Sequence, residues 1–124
     1  MLQNAKVMTF VATRNAPRAR VFYRDTLGLR MLEENPFALV FDCNGIMLRV
    51  TNVEEIVVAP YTVLGWEVAD IAAEVKRLVS AGVNFMRYPG MAQDENGVWA
   101  SPMGAKVAWF QDPDGNTLSL TQLS

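Results

Sequence analysis

Apolar and polar positions follow one order twice along this chain: a strand pattern, a helical pattern, then three more strand patterns. In the first half, residues 6–13 are rich in β-branched and aromatic side chains and predict a strand. Apolar residues then recur at helical spacing from Ala16 to Leu27. Asn15 is placed to cap the start of this helix, and Gly28 to end it in a left-handed conformation. The strand patterns that follow cover 29–33, 37–42 and 46–52.

The second half repeats this order. Residues 61–68 predict a strand, and Asp70 is placed as the N-cap of a second helix that ends at Gly82. The apolar stripe of this helix consists of Ile71, Val75, Leu78 and Val79. The strand patterns that follow cover 83–88, 105–111 and 116–122. In this repeat, Gly45 of the first half corresponds to Gly115 of the second.

Neither half can bury both faces of its small sheet alone, so the two halves are expected to share an interior. The predicted fold class is α+β: two βαβββ modules that form a cupped mixed sheet with the helices outside. We expect one domain over 1–124, with module one at about 1–52, a linker at 53–60 and module two at about 61–124.

A long segment, residues 89–104, interrupts the second module, and segments of this length are often functional. It contains Trp99 among small and polar residues. Two interpretations stay open for this side chain: it forms a lid or a dimer contact, or it packs into the core of its own domain.

Charge and composition exclude several functions. The 13 acidic and 11 basic residues give a net charge of −2, and no basic cluster favours nucleic-acid binding. Cys43 is the single cysteine and cannot form an internal disulfide. No apolar run approaches the ~20 residues of a membrane span, and no signal peptide is evident. We therefore expect a cytoplasmic protein without nucleic-acid or membrane partners.

Three segments resemble the vicinal oxygen chelate superfamily, which contains glyoxalase I, extradiol dioxygenases and bleomycin-resistance proteins. They are NAPRARVFYRDTLGL, GWEVADIAAEVKRLVSAGV and VAWFQDPDGNTLSL. The resemblance covers nearly the whole chain and implies paired βαβββ modules, often completed in a dimer. The matching residues also have a structural explanation: Phe22 and Tyr23 belong to a buried helical stripe, and DPDGN is a turn in which Gly115 has a positive φ.

The resemblance also implies a divalent metal, but this chain contains no histidine. The family's ligand positions fall on Met8, Arg49, Val63 and Ser119. A thioether, a guanidinium, an isopropyl group and a hydroxyl do not supply the imidazole or carboxylate that such a cation prefers. We expect neither a metal nor another cofactor.

Strand alternation sorts the side chains that would face the shared interior, whereas Phe110 takes the core side. The predicted ligand-binding residues are Met8, Phe10, Met47, Arg49, Val63, Glu67, Trp99, Trp109, Gln111 and Ser119. Arg49 is either an anion clamp or a structural charge, paired with Glu67 or exposed on an edge strand. Glu67 is the one weak catalytic candidate, as a general base, and structural pairing is the alternative.

These features predict a metal-free protein that binds a small molecule in an aromatic-lined cavity. The alternative is an enzyme of the same superfamily, a lyase, isomerase or dioxygenase with a displaced metal or none. A third possibility is a structural module with a vestigial pocket. Cys43 and Ser119 lack a base that would activate them as nucleophiles, so an enzymatic function is not favoured. Exposed sheet edges in so short a chain predict a homodimer.

Overall fold

The computed structural model describes all residues from 1 to 124 and divides them into two compact units, Met1–Val57 and Val58–Ser124. Each unit contains one four-stranded mixed sheet and one main helix. Each has the predicted βαβββ order, so the fold class inferred from the sequence is confirmed at the level of the two modules.

Unit one begins with a short 3-10 turn at Leu2–Asn4. Its strands and helix are β1 (Met8–Thr13), α1 (Ala16–Arg20), β2 (Arg30–Glu34), β3 (Ala38–Cys43) and β4 (Ile46–Asn52). The sheet order is β1-β4-β3-β2, with β1 parallel to β4 and the other neighbours antiparallel. Strand β4, which follows the Asn44-Gly45 turn, is central because it pairs with β1 on one side and with β3 on the other.

The first helix differs from the continuous α-helix that the periodicity predicts. Asn15 caps it, since its side chain accepts a hydrogen bond from the Arg18 N–H at 3.1 Å. Regular α-helix stops at Arg20, and a π-helical turn continues over Val21–Thr26. The wider turn retains Phe22 and Tyr23 as buried neighbours, whose rings pack edge to face at 5.1 Å.

Unit two contains β5 (Leu64–Glu67), α2 (Ile71–Ser80), β6 (Trp99–Ala100), β7 (Lys106–Gln111) and β8 (Thr117–Gln122). The sheet order is β5-β8-β7-β6, with β5 parallel to β8. Asp70 caps α2 by accepting from the Ala73 N–H at 3.1 Å. Neither helix of the protein has the length and hydropathy that crossing a membrane requires.

The strand predicted at 83–88 is wrong. Only an isolated bridge between Phe85 and Phe110 and a 2.8 Å hydrogen bond from the Met86 N–H to the Trp109 carbonyl remain there. The rest of the outer edge of β7 pairs with β6, which belongs to the 89–104 segment. Two short segments therefore share one strand edge, and neither extends along all of it.

The two units repeat each other in register as well as in order. Phe10 pairs with Arg49 across the parallel strands of unit one, and Gly65 pairs with Ser119 across those of unit two. Gly45 and Gly115 occupy equivalent turns with φ of +92° and +90°. This match confirms the correspondence predicted between the two halves of the sequence.

In each unit the helix covers one face of the sheet. The buried residues on this side of unit one include Val11, Thr13, Ala19, Phe22, Tyr23, Leu39, Phe41, Leu48 and Val50. Those of unit two are Ile71, Val75, Leu78, Ala108, Phe110, Leu118 and Leu120. Because strand side chains alternate, the opposite face of each sheet carries the residues predicted to form a site.

Candidate functional site

The face of the unit-one sheet opposite α1 carries four of the predicted site residues. Met8 pairs with Met47 and Phe10 with Arg49, at adjacent positions of β1 and β4. Phe10 is 58% exposed and Met8 46% exposed, whereas Met47 and Arg49 are half-buried. The structure therefore places these four residues in one apolar patch that contains a single cation.

Arg49 lies between Phe10 on β1 and Val40 on β3. It is not an edge-strand charge, since β4 is flanked by β1 and β3, and that interpretation is wrong. Asp42, on the same face of β3, accepts a hydrogen bond from the Gly45 N–H at 3.0 Å. Within unit one, Arg49 has neither an ion pair nor a side-chain hydrogen bond. Glu67, the other proposed partner, belongs to unit two.

The face of the unit-two sheet opposite α2 holds the other predicted residues. Trp109 pairs with Ser119 and Gln111 with Thr117, while Gly65 pairs with Ser119 from the other side. Ser119 and Thr117 are each only 7% exposed. Their hydroxyl groups have no hydrogen-bond partner, and neither is closed off from solvent. Polar side chains therefore line the centre of this face.

Val63 and Glu67 lie at the margin of the same face. Both are exposed; Glu67 is in edge strand β5, and Val63 directly precedes it. Glu67 has no hydrogen bond or ion pair in its unit. The structure thus leaves its carboxylate in the solvent-exposed surroundings of a sheet edge, and its role as a general base stays a prediction.

Three aromatic rings cover the outer part of this face, and we call Tyr88, Trp99 and Trp109 the aromatic platform. The Trp109 ring lies 6.1 Å from the Trp99 ring and 5.5 Å from the Tyr88 ring, measured between centroids. All three residues are half-buried. The Tyr88 hydroxyl also donates to the Met86 sulfur at 3.3 Å. The platform is therefore packed internally and still presents aromatic surface.

The structure places Trp99 outside the buried core of its unit, and the other interpretation, a lid or a dimer contact, stays a prediction. Trp99 pairs with Val107 as part of β6, and its ring packs against Trp109 on the sheet face. Tyr88 was not predicted as a site residue. The sequence feature that could have identified Tyr88 is its position two residues after Met86, since alternate residues of an extended segment share a face.

A shallow cleft of about 190 Å³ lies elsewhere in unit two and contains none of the predicted site residues. Its lining consists of Ile71, Ala72, Ala92, Asp94, Val98, Ala100 and Lys106. Asp94 already accepts hydrogen bonds from the Asn96 and Val98 N–H groups. The carboxylate in this cleft therefore already stabilises a turn of the loop through these hydrogen bonds.

The residues at the family's metal positions do not fit a divalent cation. Met8 and Arg49 are on the unit-one face, and Val63 and Ser119 are on the unit-two face. None carries an imidazole or a carboxylate, and the guanidinium is permanently cationic. No group of three or more Cys, Asp or Glu side chains in the protein is placed to hold a metal ion.

Charge pairs with altered pKa values lie outside this site. The Arg20 guanidinium donates to both Glu34 carboxylate oxygens, at 2.8 and 2.7 Å, and this hydrogen bonding lowers the pKa of Glu34. Arg24 similarly lowers the pKa of Asp25 through a hydrogen bond. Both pairs are exposed: the first connects α1 to β2, and the second lies within the π-helical turn.

Similar folds occur in several solved structures. Lactoylglutathione lyase from Agrobacterium tumefaciens is 19% identical, with a TM-score of 0.74, 96% of this chain and 93% of that chain covered. TioX from Micromonospora sp. ML1 is 17% identical, with a TM-score of 0.73 and coverage of 98% and 100%. A glyoxalase/bleomycin resistance protein/dioxygenase from Alicyclobacillus acidocaldarius is 18% identical, with a TM-score of 0.71 and coverage of 96% and 91%. At these identities the likeness shows the fold alone.

No curated protein sequence matches the chain. The sequence model of one family matches residues 6–120, which include both βαβββ modules and the DPDGN turn. The chain therefore belongs to the glyoxalase/bleomycin resistance protein/dioxygenase superfamily.

Proposed function

We propose that this protein binds a small aromatic molecule without a metal ion, and that the ligand lies on the aromatic platform of unit two. One observation carries this proposal: half-buried rings flank the unpartnered hydroxyls of Ser119 and Thr117, two residues that are more than nine-tenths buried. Small-molecule sites combine mainly apolar and aromatic walls with a few polar groups that orient the ligand. Each remaining residue of the predicted set lies on the corresponding sheet face of its own unit.

The platform favours a planar ligand. Aromatic rings prefer offset-stacked or edge-to-face contacts, and the accessible parts of the half-buried Trp99 and Trp109 rings offer such contacts to a further ring. A ligand that covers them removes apolar area from water at about 25 cal/mol per Å². An aromatic fragment therefore gains most of its binding free energy here.

The hydroxyls of Ser119 and Thr117 supply selectivity. A poorly hydrated hydroxyl without a partner costs free energy, which a ligand donor or acceptor recovers. Gln111 on β7 is exposed and pairs with Thr117 on β8. Its side-chain amide both donates and accepts hydrogen bonds. We expect the ligand to carry at least one polar substituent on its ring.

In unit one, Arg49 is the residue suited to an anionic group. Its guanidinium is a planar fork that matches a carboxylate or a phosphate, and no acidic side chain of unit one occupies it. Met8, Phe10 and Met47 surround it with apolar surface, where a charge-assisted hydrogen bond is stronger than in water. A carboxylate also accepts hydrogen bonds from hydroxyls such as those of Ser119 and Thr117 beside the platform, so an aromatic acid is the preferred ligand class.

Binding is tested by thermal shift and by tryptophan fluorescence with three probes: naphthalene-1-acetate, N-methylquinolinium and glucose. We expect naphthalene-1-acetate to raise the melting temperature with concentration and to quench fluorescence, because a ligand of the native state stabilises it by RT ln(1 + [L]/Kd). Glucose should do neither. Absence of any response to both aromatic probes would overturn the proposal and favour a vestigial site.

Two tryptophan variants localise the ligand. Trp109→Leu removes the central ring of the platform and should weaken naphthalene-1-acetate binding by roughly tenfold or more. Trp66→Phe is the matched control, since Trp66 pairs with Leu120 and so lies on the α2 side of the same sheet. Equal losses in both variants would contradict binding at the platform.

Exposed strand edges support a homodimer as the assembly that binds the ligand. The edge strands are β1 and β2 in unit one and β5 and β6 in unit two, counted within each sheet. Light scattering that gives the mass of one chain would contradict this part of the proposal.

A further inference from the structure

Gln93 connects the two short segments that carry the outer rings of the aromatic platform. Its side-chain N–H₂ group donates to the Met86 carbonyl at 2.9 Å and to the Gly97 carbonyl at 2.8 Å. Its side-chain oxygen accepts from the Tyr88 N–H at 2.8 Å. One amide therefore links residues 86–88, which include Tyr88, to residues 97–99, which end at Trp99.

No hydrogen bond between backbone groups joins these two segments directly. Each is instead attached to β7: the Met86 N–H binds the Trp109 carbonyl, and Trp99 pairs with Val107. An exposed bond from the Arg87 guanidinium to the Glu95 carbonyl is a further link near them. The backbone of residues 93 and 94 also pairs with the second segment, through a bridge between Gln93 and Trp99 and a 2.9 Å hydrogen bond from the Asp94 N–H to the Val98 carbonyl. The side-chain amide of Gln93 bonds to both segments at once.

The backbone next to Gln93 forms a tight, hydrogen-bonded turn that fixes the position of this amide. Asp94 closes a tight turn by accepting from the Asn96 and Val98 N–H groups, at 2.8 and 2.9 Å. Gly97 is buried with a φ of +81°, and a Cβ there would lie 3.3 Å from the Phe85 Cβ. Only glycine adopts this conformation readily, so the Gly97 carbonyl reaches Gln93 without a side chain between them.

We propose that Gln93 is the positioning residue of the platform: it holds Tyr88 and Trp99 against Trp109 and thereby sets the affinity for a planar aromatic ligand. The ligand part rests on the proposed function. Gln93 is not expected to touch the ligand itself. Its contribution is preorganisation, since rings that are already fixed lose less conformational entropy when a ligand binds.

The chemistry of the amide explains why glutamine is required. Two donors and one acceptor on one planar group satisfy two carbonyls and one N–H at once. Glutamate lacks both donors at neutral pH and would face two carbonyl oxygens with a negative charge. Methionine has a similar length but cannot form any of the three bonds.

The test compares Gln93→Met with Gln122→Met. Gln122 is a matched control in the same unit, because its side-chain oxygen also accepts from a backbone N–H, that of Ile71, at 3.0 Å. It belongs to β8 at a position that alternates away from Ser119, so it lies on the α2 side of the sheet. Both variants lose side-chain to backbone bonds, but only one loses those beside the platform.

The first measurement needs no ligand: it is the far-ultraviolet exciton couplet of the Trp99–Trp109 pair in circular dichroism. We expect Gln93→Met to reduce this couplet strongly and Gln122→Met to retain it. The second measurement is the Kd of naphthalene-1-acetate, which should rise by roughly tenfold in Gln93→Met and change less than twofold in Gln122→Met. An unchanged couplet in folded Gln93→Met would overturn the positioning role.

Hydrogen exchange in the unaltered protein provides a test that does not depend on a variant folding. The side-chain amide protons of Gln93 and the Tyr88 N–H should exchange slowly with solvent. Rapid exchange at these sites would overturn the inference. If naphthalene-1-acetate fails to bind the unaltered protein but the couplet still depends on Gln93, the proposed function fails while the positioning of the rings stands.

Discussion

Gly65 and Ser119 show how the absence of one side chain shapes the proposed site. Glycine weakens a strand interior, because it adds backbone entropy to the unfolded state and packs no side chain. Here a Cβ at Gly65 would lie 2.5 Å from the Ser119 hydroxyl oxygen and 3.3 Å from the Ser119 carbonyl oxygen. Glycine at this position therefore leaves room for the serine side chain on the sheet face.

Gly65→Ala is expected to lower the free energy of unfolding by about 1–3 kcal/mol, since the added methyl group overpacks this face. Ser119→Ala alone should have a small effect. The double variant should recover part of the loss, because the hydroxyl is removed while the carbonyl contact stays. Urea unfolding of the four proteins forms a double-mutant cycle. A loss that is independent of residue 119 would show that the serine side chain does not cause the crowding.

At the scale of elements, helix α1 is attached to strand β2 by an exposed charge pair. Arg20 ends the regular part of α1, and Glu34 ends β2, so their two hydrogen bonds join elements that are separated by the π-helical turn. Exposed pairs stabilise proteins only modestly and are screened by salt, although bidentate geometry is the favourable case. This pair gives the unit a measurable pH dependence.

The sign of that dependence follows from the lowered pKa of Glu34 in the folded state, caused chiefly by the hydrogen bond from Arg20. The stabilisation is present above the pKa of an unfolded glutamate, about 4.3. It is lost as the pH falls through the lower folded-state pKa. Glu34→Gln should therefore be less stable than the unaltered protein at neutral pH, and the difference should shrink towards low pH.

Urea unfolding over a pH series measures this difference. Glu33→Gln is the matched control, because the Glu33 carboxylate accepts from the Asn35 amide rather than from an arginine. A difference between Glu34→Gln and the unaltered protein that does not change with pH, or the same profile for both variants, would contradict the role of the pair.

At the scale of the whole molecule, the repeat retains backbone register while the side chains diverge. Phe10 and Arg49 of unit one stand where unit two has Gly65 and Ser119. Val40 is the neighbour of Arg49 on β3, and Trp109 is the corresponding neighbour of Ser119 on β7. The repeated backbone thus presents a cation on an apolar patch in one unit and hydroxyls beside aromatic rings in the other.

This divergence predicts that the protein does not bind a divalent metal stoichiometrically. After incubation with excess Zn²⁺, Mn²⁺ or Ni²⁺ and gel filtration, elemental analysis should find far less than one ion per chain, and the melting temperature should not rise. One retained equivalent that activates a lyase, isomerase or dioxygenase reaction would favour the enzymatic alternative.

Much of the fold could be predicted because its signals are local. Asn15 and Asp70 cap the helices where a short polar side chain precedes an apolar stripe. The DPDGN turn forms as expected: Asp112 accepts from the N–H groups of Asp114 and Asn116, and Gly115 has a φ of +90°. Each of these features depends on a few neighbouring residues.

The sequence by itself determined the two βαβββ repeats, their register and the absence of imidazole from the metal positions, because spacing and residue identity decide these properties. Only the tertiary structure decided that residues 83–88 form no strand, that Tyr88 joins Trp99 and Trp109, and that Gln93 links their segments. These features depend on which of two short segments pairs with each part of the β7 edge. Which segment pairs with β7 depends on contacts between residues that are distant in sequence, and a local sequence pattern does not predict it.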